Sequence, residues 1–208
     1  MNSKITEKVK GKIKRIIVIT GTPGVGKSSI SKALASKINA QVISISELVK
    51  KEKLYSGIDE KRDTLIADTK KVSKRISEII SKASTSTDII VEGHFAVDVV
   101  PLEKIAFVFV LRRNPEELEY ILKERSYKEE KIRENLAAEI LDVCLYDSVK
   151  KCGIDKVCEI DVSSRSVEDV VQEIIRVLNG EEERKVGVVD WLGKLEAEGK
   201  LDKYLRDF

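Results

Sequence analysis

The chain offers few of the residue types that betray a function by themselves. It has one histidine and three cysteines. Cys144, Cys152 and Cys158 form no CxxC pair, which argues against a zinc centre of the usual spacing. The thiols are expected to be buried or inert, with a Cys152–Cys158 disulfide, of the kind heat-adapted intracellular proteins keep, as the alternative. No apolar run approaches the ~20 residues of a membrane span. The basic start MNSKITEKVKGKIKR lacks the apolar stretch of a secretory signal, so the expected compartment is the cytoplasm, with no membrane partner. A large excess of charge of one sign is missing as well. Charged residues reach 36% but the net charge is +2, a balance that argues against a dedicated nucleic-acid coat. Much Lys, Glu and Ile with a single Met resembles a heat-adapted composition. No N/T-K-x-D element follows the fourth apolar run, which argues against a guanine-selective switch GTPase. No internal repeat is present, and 208 residues suffice for one α/β domain with a sizeable core.

What is present begins at residues 21–28, GTPGVGKS, which match G-x-x-x-x-G-K-[ST]. The β-branched run Ile16, Ile17, Val18, Ile19 precedes them. Ile30, Leu34, Ala35 and Ile38 follow at helical spacing. Strand, glycine-rich loop and helix in that order form a phosphate-binding P-loop. Gly21, Gly24, Val25 and Gly26 supply the loop backbone, whose N–H groups turn inward around a phosphate, and the helix N-terminus adds its partial positive charge. Lys27 is placed to reach the β- and γ-phosphates of a nucleoside triphosphate, and the Ser28 hydroxyl to ligate Mg²⁺.

Five apolar runs read as strands, at about residues 15–20, 41–45, 88–92, 105–111 and 157–162, with helical patterns between them. That order predicts a parallel sheet with helices on both faces. Asn114-Pro115-Glu116-Glu117 opens one helix with a cap residue, a first-turn proline and two acids. Ser166-Val167-Glu168-Asp169 resembles a capping box. The helix after it is expected to bury Val170, Val171, Ile174, Ile175 and Leu178 and to end near Gly180. Residues 181–185 form a charged break. Trp191, Leu192 and Leu195, then Leu201, Tyr204, Leu205 and Phe208, make two short amphipathic helices parted by Gly199. This tail either packs back on the parent domain or docks a partner.

Ligands of parallel α/β folds sit at the carboxyl ends of the strands, so residues after the third run matter. Glu92 is placed for the Mg²⁺ shell, or for a cap or ion pair. His94, the only histidine, is placed to orient a nucleophile or water or to hydrogen-bond a phosphate, or is simply a satisfied surface or core residue. Arg125 stands in a charged stretch between two helical patterns, read as a lid that clamps transferring phosphate or as a solvated turn. The polar segment 46–69 carries Lys50, Lys53, Asp59, Arg62 and Asp63 and suits an acceptor. Arg62 or Lys50 would hold its phosphate, Arg62 with bidentate geometry.

Together GTPGVGKS, LYSGIDEKRDT (54–64), VEGHFAVDVVP (91–101), VFVLRRNPEEL (108–118) and ERSYKEEKIRENLAAEILDV (124–143) resemble the adenylate kinase-like NTPases grouped with adenylate kinase isoenzyme six. The resemblance covers roughly residues 14–178, and the tail around Asp190-Trp191-Leu192 is similar to archaeal members. It implies an α/β P-loop nucleoside monophosphate kinase fold with a central five-stranded parallel sheet flanked by helices. It also implies ATP + AMP phosphotransfer, ATPase activity, and ATP with Mg²⁺ as cofactors. A further implication is a role in small ribosomal subunit maturation, through a platform ribosomal protein and transient contact with pre-ribosomal RNA. By position, Gly24, Gly26, Lys27, Ser28 and Ser29 hold ATP phosphates, Arg125 is the lid arginine on ATP, and His94 matches a functional histidine. The acceptor side takes Lys50, Arg62, Asp63 and His94, within an acceptor region of about 44–67. The lid spans about 124–134, residues 1–180 form the kinase-like domain, and 181–208 form the linker and tail helices. In some relatives Asp-Tyr-His stands at Glu92-Gly93-His94, Arg at Lys50, and Gly at Ser126.

Overall fold

The computed structural model describes residues 14–60, 62 and 64–206. The basic start before residue 14, Phe208 and the acceptor candidate Asp63 lie outside the described residues.

Strand β1 (Ile16–Thr20) is buried along its whole length, which is why it reads as an unbroken β-branched run rather than an alternating one. The P-loop follows, then α1 (Lys27–Ile38), β2 (Gln41–Ser44) and α2 (Ile45–Lys51). A hairpin of β3 (Tyr55–Asp59) and β4 (Thr64–Ala67) comes next, then α3 (Thr69–Lys82), β5 (Ile89–Glu92) and the short α4 (Ala96–Val99). The chain continues through β6 (Ile105–Arg112), α5 (Pro115–Glu124), α6 (Glu129–Ile140), α7 (Val143–Cys152), β7 (Val157–Asp161) and α8 (Val167–Asn179). Helices α9 (Trp191–Ala197) and α10 (Leu201–Leu205) end it.

The five expected strands form one sheet in the order β2-β5-β1-β6-β7, parallel throughout. Helices flank both faces. Ile17, Ile19, Phe109 and Leu111 point to one side, against Leu34 of α1, Leu118 of α5, Leu136 of α6 and Ile174 of α8. Val18, Val91, Val108 and Val110 point to the other, against Val49 of α2, Ile76 of α3 and Leu145 of α7. Strand β1 lies centrally, and the chain leaves it toward β2 on one side and later toward β6 on the other. The crevice of this reversal opens at the carboxyl end of β1, where the P-loop begins.

Local signals set the helix ends. Asn114 Oδ1 accepts from the Glu116 N–H at 2.8 Å. Ser166 Oγ accepts from the Asp169 N–H at 3.1 Å and donates to Asp169 Oδ2 at 2.6 Å. Gly180 closes α8 in the left-handed region. In that helix Val177 is buried and Ile175 only half-buried, because the stripe facing the sheet is narrower than the apolar set. The three thiols are free, so no Cys152–Cys158 disulfide forms.

The β3–β4 hairpin is absent from the sequence reading, which left 46–69 as a polar segment. It pairs only with itself: one side meets solvent with Ile58 and Ile66 exposed, while Tyr55, Leu65 and Ala67 pack partly against the core. The tail packs on the parent. Trp191, Leu195 and Tyr204 are buried against the α5–α6 side of the core. The charged stretch before it is no free linker: the Lys185 carbonyl accepts the Glu159 N–H at 2.7 Å. Among the described residues no helix is long and apolar enough to cross a membrane.

Candidate active site

The P-loop turns where only glycine fits. Gly21 has φ +134°, and a Cβ there would collide with the Leu111 carbonyl oxygen. Gly24, at φ +99°, would bring a Cβ to 2.7 Å from Leu118 Cδ1. The loop is thereby pressed onto β6 and α5, and α1 starts at its mouth. Lys27, 9% exposed, donates to the carbonyls of Gly21 at 2.7 Å and Thr22 at 2.9 Å. Burial lowers its pKa, with partial offset from neighbours including Cys144, Glu92 and Glu139.

Glu92 ends β5 beside β1 and is buried. Its Oε1 accepts from Ser28 Oγ at 3.1 Å. Two residues predicted separately for a cation therefore meet across 64 positions of sequence. Two adjacent oxygen ligands of this kind, one a carboxylate, suit a hard divalent ion.

His94 follows on the loop after β5. Its carbonyl accepts from Thr20 Oγ1 at 3.2 Å, and its ring meets Phe95 edge-on at 4.8 Å. The cleft walls disfavour an imidazolium, and the Lys27 ammonium adds to this, lowering the His94 pKa to about 4. The side chain still meets solvent at the cleft mouth, and that water tempers the shift.

The cleft measures about 460 Å³. Gly24, Gly26, Lys27, Ser28 and Ser29 line its floor, Glu92 and His94 one wall, and Arg62 and Arg125 the rim. Three expected members lie elsewhere. Gly21 sits beneath the loop, where it makes the turn. Val25 is fully buried in the core and its N–H is turned to the Thr22 carbonyl at 3.3 Å, so it offers no inward donor. Lys50 lines a neighbouring depression with Tyr55, Ile58, Leu65 and Thr64, of which only Thr64 also lines the cleft.

Much of the stretch 124–134, expected as a lid, is helical. Only residues 125–128 are non-helical, since α6 starts at Glu129. Ser126 stands at φ 56°, the left-handed conformation that favours glycine. The hairpin leans onto α6 and closes the cleft rim. Arg62 reaches Glu134 at 2.6–3.0 Å and Asp59 at 2.8 Å, Lys128 donates to the Glu60 carbonyl at 2.8 Å, and Lys131 donates to Thr64 Oγ1 at 2.8 Å. These carboxylates raise the Arg62 pKa further.

Behind the loop lies a charge network that the sequence reading missed. Arg112, 1% exposed at the end of β6, donates to Glu139 Oε1 at 2.9 Å, to Glu159 Oε1 at 2.6 Å and to Asp142. Glu139 Oε2 accepts from Thr22 Oγ1 of the P-loop at 2.5 Å. Arg112 after a wholly apolar strand, and Glu139 on the apolar face Ile132, Leu136, Ile140, are the signals that could have revealed it.

Residues 17–142 match the family model described as an AAA domain. A putative adenylate kinase of Methanocaldococcus jannaschii is 47% identical over 178 residues, covering 86% of this chain and 93% of that protein. A shikimate kinase structure from Bacteroides thetaiotaomicron superposes with TM-score 0.53 at 17% identity, covering 79% of this chain and 98% of that one. A thymidylate kinase structure from Candida albicans gives TM-score 0.53 at 13% identity, over 83% of this chain and 97% of that one. At such identities the two structures speak for a P-loop kinase-like fold and nothing finer. The long, nearly full-length match to the Methanocaldococcus protein goes further, and by it the chain belongs to the adenylate kinase-like family of P-loop proteins.

Proposed function

We propose that the protein transfers the γ-phosphoryl group of ATP to AMP. The observation that carries this reading is the convergence of Lys27, the Ser28–Glu92 pair, His94 and Arg125 on one cleft whose other rim is the β3–β4 hairpin. Phosphoryl transfer demands positioning and charge stabilisation more than covalent chemistry. Lys27 already points into the loop, and exchanging its two carbonyl partners for phosphate oxygens moves a buried ammonium onto the charge it stabilises. Arg125, at the end of α5, closes over the same oxygens. Ser28 and Glu92 would hold Mg²⁺, which neutralises phosphate charge when bound. His94, neutral near pH 7, orients the acceptor, or a water when no acceptor is present, which gives the ATPase activity. Arg62 faces the acceptor side and must release Glu134 to bind a phosphate.

The test is product analysis with ATP, with and without AMP. ADP formed at two per ATP consumed supports the kinase, and phosphate release without AMP supports the ATPase. No turnover in either mixture overturns the reading. The ribosome-assembly role implied by the resemblance belongs to the same proposal. A pull-down with the platform ribosomal protein, with and without ATP, tests it, and absence of binding in both removes it.

A further inference from the structure

We propose that Glu139 is a positioning residue for the P-loop, and that Trp191 of the C-terminal tail completes the set of donors that hold it. This rests on the reading of the P-loop as the ATP site.

Glu139 is 2% exposed, so its carboxylate needs donors in place of water. Oε1 accepts from Arg112 Nε at 2.9 Å, the Arg113 N–H at 3.0 Å and Trp191 Nε1 at 3.3 Å. Oε2 accepts from Thr22 Oγ1 at 2.5 Å. An ionised carboxylate only accepts, so the Thr22 hydroxyl must donate, and its rotamer is fixed. The carbonyl of the same residue accepts from Lys27 Nζ at 2.9 Å and the Val25 N–H at 3.3 Å. Thr22 is thus gripped from outside through its side chain and from inside through its backbone. The inner grip sets where Lys27 waits.

Neutralising Arg112 does not by itself require this arrangement. Arg112 also has Glu159 and Asp142. What Glu139 adds is the bond to the loop, and it draws its remaining donor from a segment 52 positions away in sequence. The tail is therefore built into the nucleotide site through one carboxylate.

The experiment uses the full chain and reads ADP binding by calorimetry beside the KM for ATP, the KM for AMP and kcat. Thr22→Val keeps the shape and removes the hydroxyl. The expected result is an ADP Kd and an ATP KM raised about tenfold, the size of losing a hydrogen bond to a charged group. The KM for AMP should stay within about twofold, since the acceptor side is untouched. Thr22→Ser restores the hydroxyl and should restore affinity to within about twofold. Glu139→Gln should show the same split, and Trp191→Phe a smaller one of about threefold, as fits a longer bond. If Glu139→Gln fails to fold, the threonine pair still decides. Unchanged ADP affinity in Thr22→Val, or a loss that Thr22→Ser does not rescue, overturns the proposal. Calorimetry needs no reaction. A chain that binds ADP yet transfers nothing to AMP overturns the proposed function alone, and the ratio of ADP affinities still judges Glu139.

Discussion

Lys27→Met separates what the lysine does for the fold from what it does for the reaction. The side chain is 9% exposed and makes two hydrogen bonds, to Gly21 and Thr22 carbonyls. Hydrogen bonds from a charged donor contribute about 1.5–3 kcal/mol each. Against them stands the desolvation of an ammonium, on the order of several kcal/mol, which also lowers the lysine's pKa. The two nearly cancel. Methionine fills a similar volume without the charge, so stability should change by no more than about 1 kcal/mol, or about 2–4 °C in Tm for a chain of this size. Turnover has no such compensation. Removing one preorganised charge from the transferring phosphoryl costs about 10²–10³ in kcat. Thermal denaturation and coupled ADP assays on the same preparation read both quantities. A kcat within about tenfold of the unaltered chain would refute the assignment of Lys27 to the transferring group. A fall in Tm far beyond about 4 °C would refute the balance argued for its burial.

Because the chain has one histidine, its ring protons give a single unoverlapped set of resonances, whose titration midpoint should lie below the ordinary imidazole value, in the direction of the lowered pKa of about 4. The sign for stability follows: the unfolded chain takes up a proton near pH 6.5 that the folded chain refuses, so stability falls as pH drops from about 6.5 toward 4, and His94→Gln should flatten that slope. A titration midpoint at pH 6 or above sinks both statements. Ser126→Gly relieves a left-handed backbone and should raise stability by about 0.5–1 kcal/mol, after the entropy glycine adds to the unfolded state, and denaturant midpoints check this. Lys50→Ala should leave the KM for AMP within about twofold while Arg62→Ala raises it about tenfold or more, because only Arg62 lines the cleft. Equal effects of the two would show that the hairpin takes another position during turnover.

The strands were legible because a parallel sheet covered on both faces needs residues such as Ile16 to Ile19 without interruption. The P-loop was legible because its glycines are demanded by backbone angle and by contact with Leu111 and Leu118. Ser28 and Glu92 were each readable as oxygen donors, though their meeting depends on β5 lying beside β1, which no local pattern states. The hairpin was not legible. Tyr55, Leu65 and Ala67 pack only partly against the core while Ile58 and Ile66 point to solvent, so the apolar residues do not alternate in step with burial. Nor was the facing of Lys50, which depends on how α2, two turns long, is rotated against the sheet. The Arg112 network joins residues 27 and 47 positions apart. A single sequence shows that such charges stand among apolar neighbours, but not which partner each one finds.

The bond between the Lys185 carbonyl and the Glu159 N–H has a further consequence. Strand β7 is the last of its sheet on that side, and an uncovered border strand presents a ready template for a neighbouring molecule to extend. The returning chain occupies that template, and the Gly187 and Val188 N–H groups fasten it to the Glu159 carboxylate at 2.7 and 2.8 Å. The stretch that reads as a mere spacer between domain and tail thus acts as a selvedge, a finished border that keeps the sheet of one molecule from being sewn to the next.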